Sequence, residues 1–422
     1  MPLPRIIEIV PPASPAPARV TIPGSKSITN RALVLAALSR GSVRLEGALW
    51  SEDTEVMVHC LQTLGFGVRV EADPGDPANR RIEVEGAGGT LPRPGGTWEH
   101  PLELFVGNAG TAARFLSALV CLGRGVYRLS GVPRMHERPQ ASLLRVLRDL
   151  GYGVDATSDR LPALIEGGGP RSGSVTVSVD QSSQFASALL LASRAGGWTV
   201  GISGGNPDEL PYVEMTRRLI DVFPHAGGEF RIEPDASSGS YFWAAGFLMG
   251  SDVQVHDWPT SGWQVDARFP RCFPLLPEIS RERDLGDSIL TAMILAPFGR
   301  APVRFTELGR LRVQECERVQ AMRTELARCG AQVEESGDTL VIHPGPLHGA
   351  TITTYNDHRI AMCFATLGLK VPGIRIDDPS CVRKTFPNFF QKLSAPVPEG
   401  LGAGVRDVAT GRTLTGADLL TS

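Results

Sequence analysis

Short runs rich in β-branched residues take turns with helical stretches along the whole chain, which predicts an α/β architecture. One element recurs within that alternation: a few small polar residues, then an Ala/Leu-rich helix apolar enough to be buried. It reads GSKSITNRALVLAAL (24–38), GNAGTAARFLSALV (107–120) and QSSQFASALLLAS (181–193). It returns as DASSGSYFWAAGFL (235–248), GDSILTAMILA (286–296) and YNDHRIAMCFATLGL (355–369). Six occurrences mark a repeat architecture. A second helix type follows several of these and stops at glycine, as in CLQTLGFGVRV, VLRDLGYGVDA and LARCGAQVEES. Glycine after the last apolar turn is the expected C-cap, and the β-branched residues beyond it start a strand. The pattern predicts a unit of buried helix, strand, surface helix and strands, used six times. Three units make each domain, divided near Pro234. If the units pack with pseudo-symmetry, several helix N-termini converge on one cleft between the domains.

Composition narrows the picture. A chain of 422 residues exceeds the usual size of one core, in line with two domains. Hydrophobic residues at 42% and charged residues at 21% describe an ordinary globular protein. A net charge of −3 argues against a nucleic-acid or general polyanion binder, so any anion site is local. The 7 cysteines form no CxxC pair and leave an odd count, which fits reduced thiols in the cytoplasm. The 8 histidines show no HExxH spacing, so neither a metal nor a cofactor is expected. Prolines interrupt MPLPRIIEIVPPASPAPARV where a signal peptide needs an apolar core, and the apolar helices are too short to span a bilayer. Residues 394–422, rich in Gly, Pro and Ala, read as a loosely attached tail.

Charge placement carries the chemistry. Lys26 and Arg31 crowd the start of the first buried helix, where partial positive charge already favours anions. A bound anion resolves that conflict. Further cations stand at loop–helix junctions in VPRMHERPQ (132–140), GRLRVQECERVQAMRTEL (309–326), YNDHRIAM (355–362) and VRKTFP (382–387). Arginine suits bidentate recognition of carboxylate and phosphate, and lysine acts as a mobile point charge. A site using both suggests more than one multiply charged small molecule. Two carboxylates lie among these cations. Asp287 opens a buried helix, where it reads either as a cap or as a general base; Glu315 reads either as the helical partner of Arg318 or as a general acid.

The stretches PGSKSITNRALVLAAL, GNAGTAAR, RMHERP, SSQFASALL, EPDASSGSYF, YNDHRIAMCF and KTFPNFF occur in order between residue 19 and about 393. In them the chain resembles the 5-enolpyruvylshikimate-3-phosphate synthases of the enolpyruvyl transferase family. The resemblance implies two domains, each an inside-out α/β barrel of three repeated units around buried helices. The first takes residues 24–234, and the second combines 1–23 with 235–422. It implies transfer of the carboxyvinyl group of phosphoenolpyruvate to the 5-hydroxyl of shikimate 3-phosphate, releasing phosphate by addition and elimination. This is a shikimate-pathway step toward chorismate and the aromatic amino acids, carried out by a monomer. Both substrates carry a carboxylate and a phosphate, which accounts for the crowded cations.

By motif match, Lys26 touches both substrates. Shikimate 3-phosphate is held by Ser27, Arg31, Ser182, Ser183, Gln184, Glu209, Tyr212, Asp287, Arg310 and Gln314. Phosphoenolpyruvate is held by Asn108, Gly110, Thr111, Arg138, Gln184, Arg318, Arg359 and Lys384. Asp287 accepts the hydroxyl proton, Glu315 delivers a proton to the methylene carbon, Lys26 assists phosphate departure, and His358 joins the catalytic set. Several positions depart from the family pattern on the shikimate side. Glu209 stands for serine, Arg310 for asparagine, Gln314 for lysine, Cys316 for threonine and Gly286 for proline. The alternative reading is therefore a carboxyvinyl transferase with another hydroxylated acceptor. The relative that uses a UDP-linked amino sugar carries a reactive cysteine in the loop that here reads VPRMHERPQ, without one. A catalytically silent anion-binding paralogue is the third reading.

Overall fold

A computed structural model describes residues 3–204 and 210–421. The chain divides into two compact units, a continuous one from Gly24 to Glu233 and a split one joining Met1–Pro23 to Pro234–Ser422. The crossing falls between Glu233 and Pro234, so Pro234 belongs to the split unit. Each side of the crossing is tied within its own unit. The Ser25 N–H donates to the Glu233 carbonyl at 2.9 Å, and the Asp235 N–H donates to the Pro23 carbonyl at 2.9 Å.

Among the described residues each unit holds two four-stranded sheets and one two-stranded sheet. In the continuous unit one sheet orders its strands Gly228–Arg231, Ser42–Leu49, Asn79–Glu85, Val68–Ala72. The other orders Leu102–Phe105, Arg124–Ser130, Ala163–Gly168, Gly153–Ala156. In the split unit the corresponding orders are Glu278–Ser280, Val303–Thr306, Thr339–Ile342, Val333–Ser336 and Thr351–Thr353, Arg375–Asp377, Ile6–Val10, Gly404–Asp407. All four run parallel, antiparallel, antiparallel across their three pairings. The repeat visible in the helices is thus also written in the sheets. Val43 and Leu45 turn inward while Ser42 and Arg44 face solvent, the one-sided burial expected of a sheet covered on a single face.

The six apolar stretches form the helices Lys26–Leu38, Gly110–Leu119, Ser183–Gly196, Ala236–Met249, Ile289–Met293 and His358–Leu367. They are buried through most of their length; Gly110–Leu119 is buried at every position. The fifth is shorter than its sequence pattern. The N–H groups of Gly286 and Ser288 both donate to Asp266 Oδ1, at 3.0 and 2.9 Å, and the regular helix begins only after them, at Ile289. The glycine stops behave as read: Gly65, Gly151 and Gly330 have φ of +89°, +85° and +95°, left-handed values that glycine adopts without strain.

Residues 394–422 are not a loose tail. Gly404–Asp407 pairs antiparallel with Ile7–Val10 and supplies the outer strand of its sheet. Leu401, Val405, Leu414 and Leu419 are buried, and the Thr421 N–H and hydroxyl both donate to the Pro387 carbonyl at 3.0 and 2.8 Å. In the other three sheets a local hairpin provides the two antiparallel strands. Here the N-terminal strand occupies the inner place, so the outer place is filled from the far end of the chain. Gly- and Pro-rich composition described the turns around this short strand and hid the strand itself.

Candidate active site

The split unit gathers charges from four separated stretches. Arg318, the first residue of the Arg318–Arg328 helix, is 1% exposed. Its Nε donates to Asp357 Oδ2 at 2.7 Å, and its Nη2 to Asp357 Oδ1 at 3.3 Å and Glu315 Oε2 at 2.8 Å. Its Nη1 lies 3.8 Å from Asp287 Oδ1 and donates to Gln314 Oε1. Arg359 Nη2 is 3.0 Å from Asp287 Oδ2, and its Nη1 donates to the Ser237 hydroxyl. Lys384 Nζ is 3.5 Å from Glu315 Oε1, and Arg281 Nη2 is 3.5 Å from Asp287 Oδ1. One buried guanidinium therefore joins both candidate proton-transfer carboxylates. A charge so deeply buried is tolerable only when paired, and removal of one partner is strongly destabilising.

Burial alone would push the Asp287 carboxyl up. Arg359, Arg318 and Arg281 outweigh it and hold the group well below the usual carboxylate range, against an opposing push from Glu315. Asp266, buried nearby, moves the other way, raised by burial and by the charge of Asp287. Asp287 does not cap its helix; Ser288 takes the N-cap position.

Asp357 places two of the cations at once. It caps the His358–Leu367 helix by accepting from the Arg359 N–H at 2.9 Å while gripping Arg318. The preceding residues, Tyr355 and Asn356, hold φ of +54° and +53°, a region non-glycine residues seldom occupy. The Tyr355 hydroxyl anchors this turn by donating to Glu325 Oε1 at 2.8 Å. Glu325 is itself buried, accepts from the Thr353 N–H at 3.2 Å and pairs with Arg328 at 2.8 Å. Backbone strain next to a cluster of charged side chains is the kind found at functional sites.

The continuous unit presents a different set. The Lys26–Leu38 and Gly110–Leu119 helices begin without a side-chain cap, and the second turn of one is joined to the first turn of the other by Asn30 Nδ2 donating to Thr111 Oγ1 at 3.1 Å. Lys26 Nζ lies 3.1 Å from Asp53 Oδ2. Arg31 is 1% exposed and donates to Thr216 Oγ1, the Ser27 carbonyl and Ser187 Oγ at 2.7, 2.9 and 3.1 Å, over the Phe115 ring. Arg138 Nη1 donates to the Asn108 carbonyl at 3.1 Å. A methyl group on Gly110 would stand 2.7 Å from Arg138 Nη2, so the missing side chain is what allows that guanidinium to lie against the helix start. Ser182 caps the Ser183–Gly196 helix by accepting from the Gln184 N–H at 3.2 Å, with Ser183 buried beside it.

The structure brings Asp287, Glu315, Gln314, Arg318, Arg359 and Lys384 into one network. His358 is buried, its Nδ1 3.7 Å from Asp357 Oδ1. Arg310 lies half-buried in the Gly309–Val313 turn. In the continuous unit Asn108, Gly110 and Arg138 meet at one helix start, Thr111 links to Asn30 of the Lys26 helix, and the Tyr212 carbonyl accepts from Thr216 at 2.9 Å. Glu209 lies outside the described residues. Sequence reasoning missed Arg281, six residues before Asp287, and Asp53, Ser187 and Thr216, whose partners Lys26 and Arg31 are remote along the chain. It also passed over Asp357, although an aspartate directly before a buried helix is a readable cap signal. Among the described residues no three His, Cys, Asp or Glu side chains cluster to hold a metal, no helix is long and apolar enough to cross a membrane, and the cysteines are unpaired.

This architecture is that of the enolpyruvyl transferases. EPSP synthase from Acinetobacter baumannii matches with a TM-score of 0.74 at 22% identity, covering 95% of this chain and 99% of that one. The enolpyruvyl transferase NikO from Streptomyces tendae matches with a TM-score of 0.68 at 16% identity, covering 98% and 100%. At those identities the likeness concerns the fold. The chain belongs to the EPSP synthase (3-phosphoshikimate 1-carboxyvinyltransferase) family, which it matches over residues 10–224 and 281–393. A 3-phosphoshikimate 1-carboxyvinyltransferase from Nostoc punctiforme is 38% identical over 420 residues, covering 90% of this chain and 96% of the relative. One from Pseudomonas savastanoi pv. phaseolicola is 37% identical over 420 residues, covering 92% and 97%.

Proposed function

We propose that the chain transfers the carboxyvinyl group of phosphoenolpyruvate to the 5-hydroxyl of shikimate 3-phosphate and releases phosphate, a shikimate-pathway step toward chorismate. The observation that carries this reading is Arg318, fully buried yet joining Asp287 to Glu315, with Arg359 and Lys384 on their far sides. In this reading each unit is an inside-out α/β barrel of three repeated units, and both charge clusters serve one reaction in a reducing cytoplasm that suits the unpaired thiols.

Asp287 takes the proton of the 5-hydroxyl as its oxygen bonds to C2 of phosphoenolpyruvate. Glu315 gives a proton to C3, turning the methylene into a methyl group on a tetrahedral intermediate. In the second half a methyl proton returns to Glu315, the C2–O bond to phosphate breaks, the proton held by Asp287 leaves with the phosphate, and Lys26 offsets the charge of the departing group. A positioned acid or base contributes about 10²–10⁴-fold, and fixed charges in a water-excluded site add to it. The depressed pKa of Asp287 fits a base that rests ionised. Three guanidinium groups also make it a weak one. Anionic substrate groups on Arg318 and Arg359 share that positive charge, so substrate binding raises the proton affinity of Asp287 when it is needed.

Phosphoenolpyruvate is assigned to Lys26, Asn108, Gly110, Thr111, Arg138, Gln184, Arg318, Arg359 and Lys384. Shikimate 3-phosphate is assigned to Lys26, Ser27, Arg31, Ser182, Ser183, Gln184, Tyr212, Asp287, Arg310 and Gln314. His358, buried against Asp357, acts as a positioning residue. The test is phosphate release from phosphoenolpyruvate with shikimate 3-phosphate as acceptor. Turnover with that acceptor supports the reading, and release only with another alcohol overturns it.

A further inference from the structure

A second buried carboxylate grips the chain around Asp287. Asp266 belongs to the short Val265–Cys272 turn and is buried. Its Oδ1 accepts from the Gly286 N–H at 3.0 Å, the Ser288 N–H at 2.9 Å and the Ser288 hydroxyl at 2.5 Å. These donors belong to the residues on either side of Asp287. One oxygen therefore holds the backbone before and after that residue, and the Asp287 side chain leaves the chain between two fixed peptide groups.

The turn that carries Asp266 is itself anchored. Gln264, directly before it, accepts from the Ala236 N–H at 2.9 Å through Oε1 and donates to the Pro234 carbonyl at 2.8 Å through Nε2. The residue after Ala236 is Ser237, whose hydroxyl meets Arg359 Nη1. One short stretch thus ties the helix start that touches Arg359 to the loop whose Asp287 pairs with the same guanidinium.

Aim matters at Asp287 because its two oxygens face three cations, at 3.0 Å from Arg359, 3.5 Å from Arg281 and 3.8 Å from Arg318. A misplacement of about 1 Å can cost about 10²-fold in rate. The negative charge of Asp266 is a cost here, since burial and the neighbouring charge of Asp287 both raise its proton affinity. What the loop uses is an acceptor at that point. We propose that Asp266 is the positioning residue of Asp287, holding the peptide groups on both sides of the base and thereby aiming its carboxylate for proton transfer. The inference rests on the reading of Asp287 as the base and gives Asp266 no contact with substrate.

The test is steady-state kinetics of the full chain, with phosphoenolpyruvate and shikimate 3-phosphate varied in turn, below the melting transition of each variant. Asp266→Asn keeps an oxygen acceptor in place without the charge and should hold kcat within about threefold of wild type. Asp266→Ser withdraws the acceptor and should lower kcat by about tenfold or more, with both KM values within about threefold. Asp266→Glu keeps the charge but displaces the oxygen by a methylene; it should behave like Asp266→Ser and replaces it if that variant does not fold. In the Asp287→Asn background Asp266→Ser should cost less than about twofold more, because the group it aims is no longer a base. Full kcat in Asp266→Ser and Asp266→Glu, an Asp266→Asn as slow as those, a loss confined to KM, or a full further loss in the Asp287→Asn background would overturn the proposal. Normal turnover in Asp287→Asn would remove the base itself, whereas a slow Asp287→Asn beside a fully active Asp266→Ser would remove only the aiming role.

Discussion

The two units hold their buried arginines by different chemistry. In the split unit Arg318 and Arg359 are gripped by carboxylates, namely Asp357, Glu315 and Asp287. In the continuous unit Arg31 donates to two hydroxyls and a carbonyl, and Arg138 and Arg114 donate to backbone carbonyls. A carboxylate partner can take a proton, so the first network is tied to protonation and suits acid–base work. A hydroxyl or carbonyl partner keeps its geometry at any ordinary pH and suits the steady placement of a cation. The buried arginines of the split unit are thus gripped by titrating carboxylates and those of the continuous unit by hydroxyls and carbonyls, while Lys26 of the continuous unit pairs with Asp53.

The largest effects should come from the carboxylates of the split unit. Glu315→Gln is expected to remain folded and lose about 10²–10⁴-fold in turnover, read by phosphate release against a matched melting curve. Normal turnover per folded molecule would remove Glu315 from the chemistry. Asp287→Asn should lose turnover on a similar scale and also destabilise the split unit at neutral pH, because Arg359, Arg318 and Arg281 lose a shared partner. The sign with pH follows from the depressed pKa. The contribution of Asp287 is present above its ordinary value of 3.8 and is lost as acid protonates the group below it. Urea melts should therefore show wild type and Asp287→Asn converging in stability as pH falls below about 4.

Thr216→Val sharpens the contrast from the other side. It strands the Arg31 Nε–H in the interior and should cost about 2 kcal/mol. That loss should be the same at pH 4 as at pH 7, and a loss that varied with pH would break the distinction drawn between the two sets of arginines. Gly110→Ala ranks next. Its new methyl meets the far end of the Arg138 side chain, which can shift without unfolding the protein. The expected result is a rise of about tenfold in KM for phosphoenolpyruvate, or about 1.4 kcal/mol, with KM for shikimate 3-phosphate and the melting temperature unchanged. Smallest is Tyr355→Phe, which unties the strained turn before Asp357. It should lower stability by about 1 kcal/mol and reduce kcat severalfold, while Glu325→Gln, still able to accept from the hydroxyl, keeps more of the activity.

Local physics made much of this molecule legible in its sequence. Apolar helices with small polar starts, glycine stops and cations at helix mouths are properties of neighbouring residues, and their periodicity announced an α/β repeat. The start of the helix after Asp287 and the C-terminal strand escaped because non-local contacts decided them: the Asp266 carboxylate takes the N–H groups of Gly286 and Ser288 ahead of one, and pairing with the N-terminal strand orders the other. The same holds within the candidate site. Sequence alone determined that Asp287, Glu315, Arg318, Arg359 and Lys384 were available at loop–helix junctions. Only the tertiary structure decided that one buried guanidinium would join the two acids, that Arg281 would become a third cation on Asp287, and that Asp357 would hold Arg318 while capping the helix that carries Arg359. Coulombic and hydrogen-bond energies depend on separations of a few ångströms and on burial, and a linear order of residues contains neither.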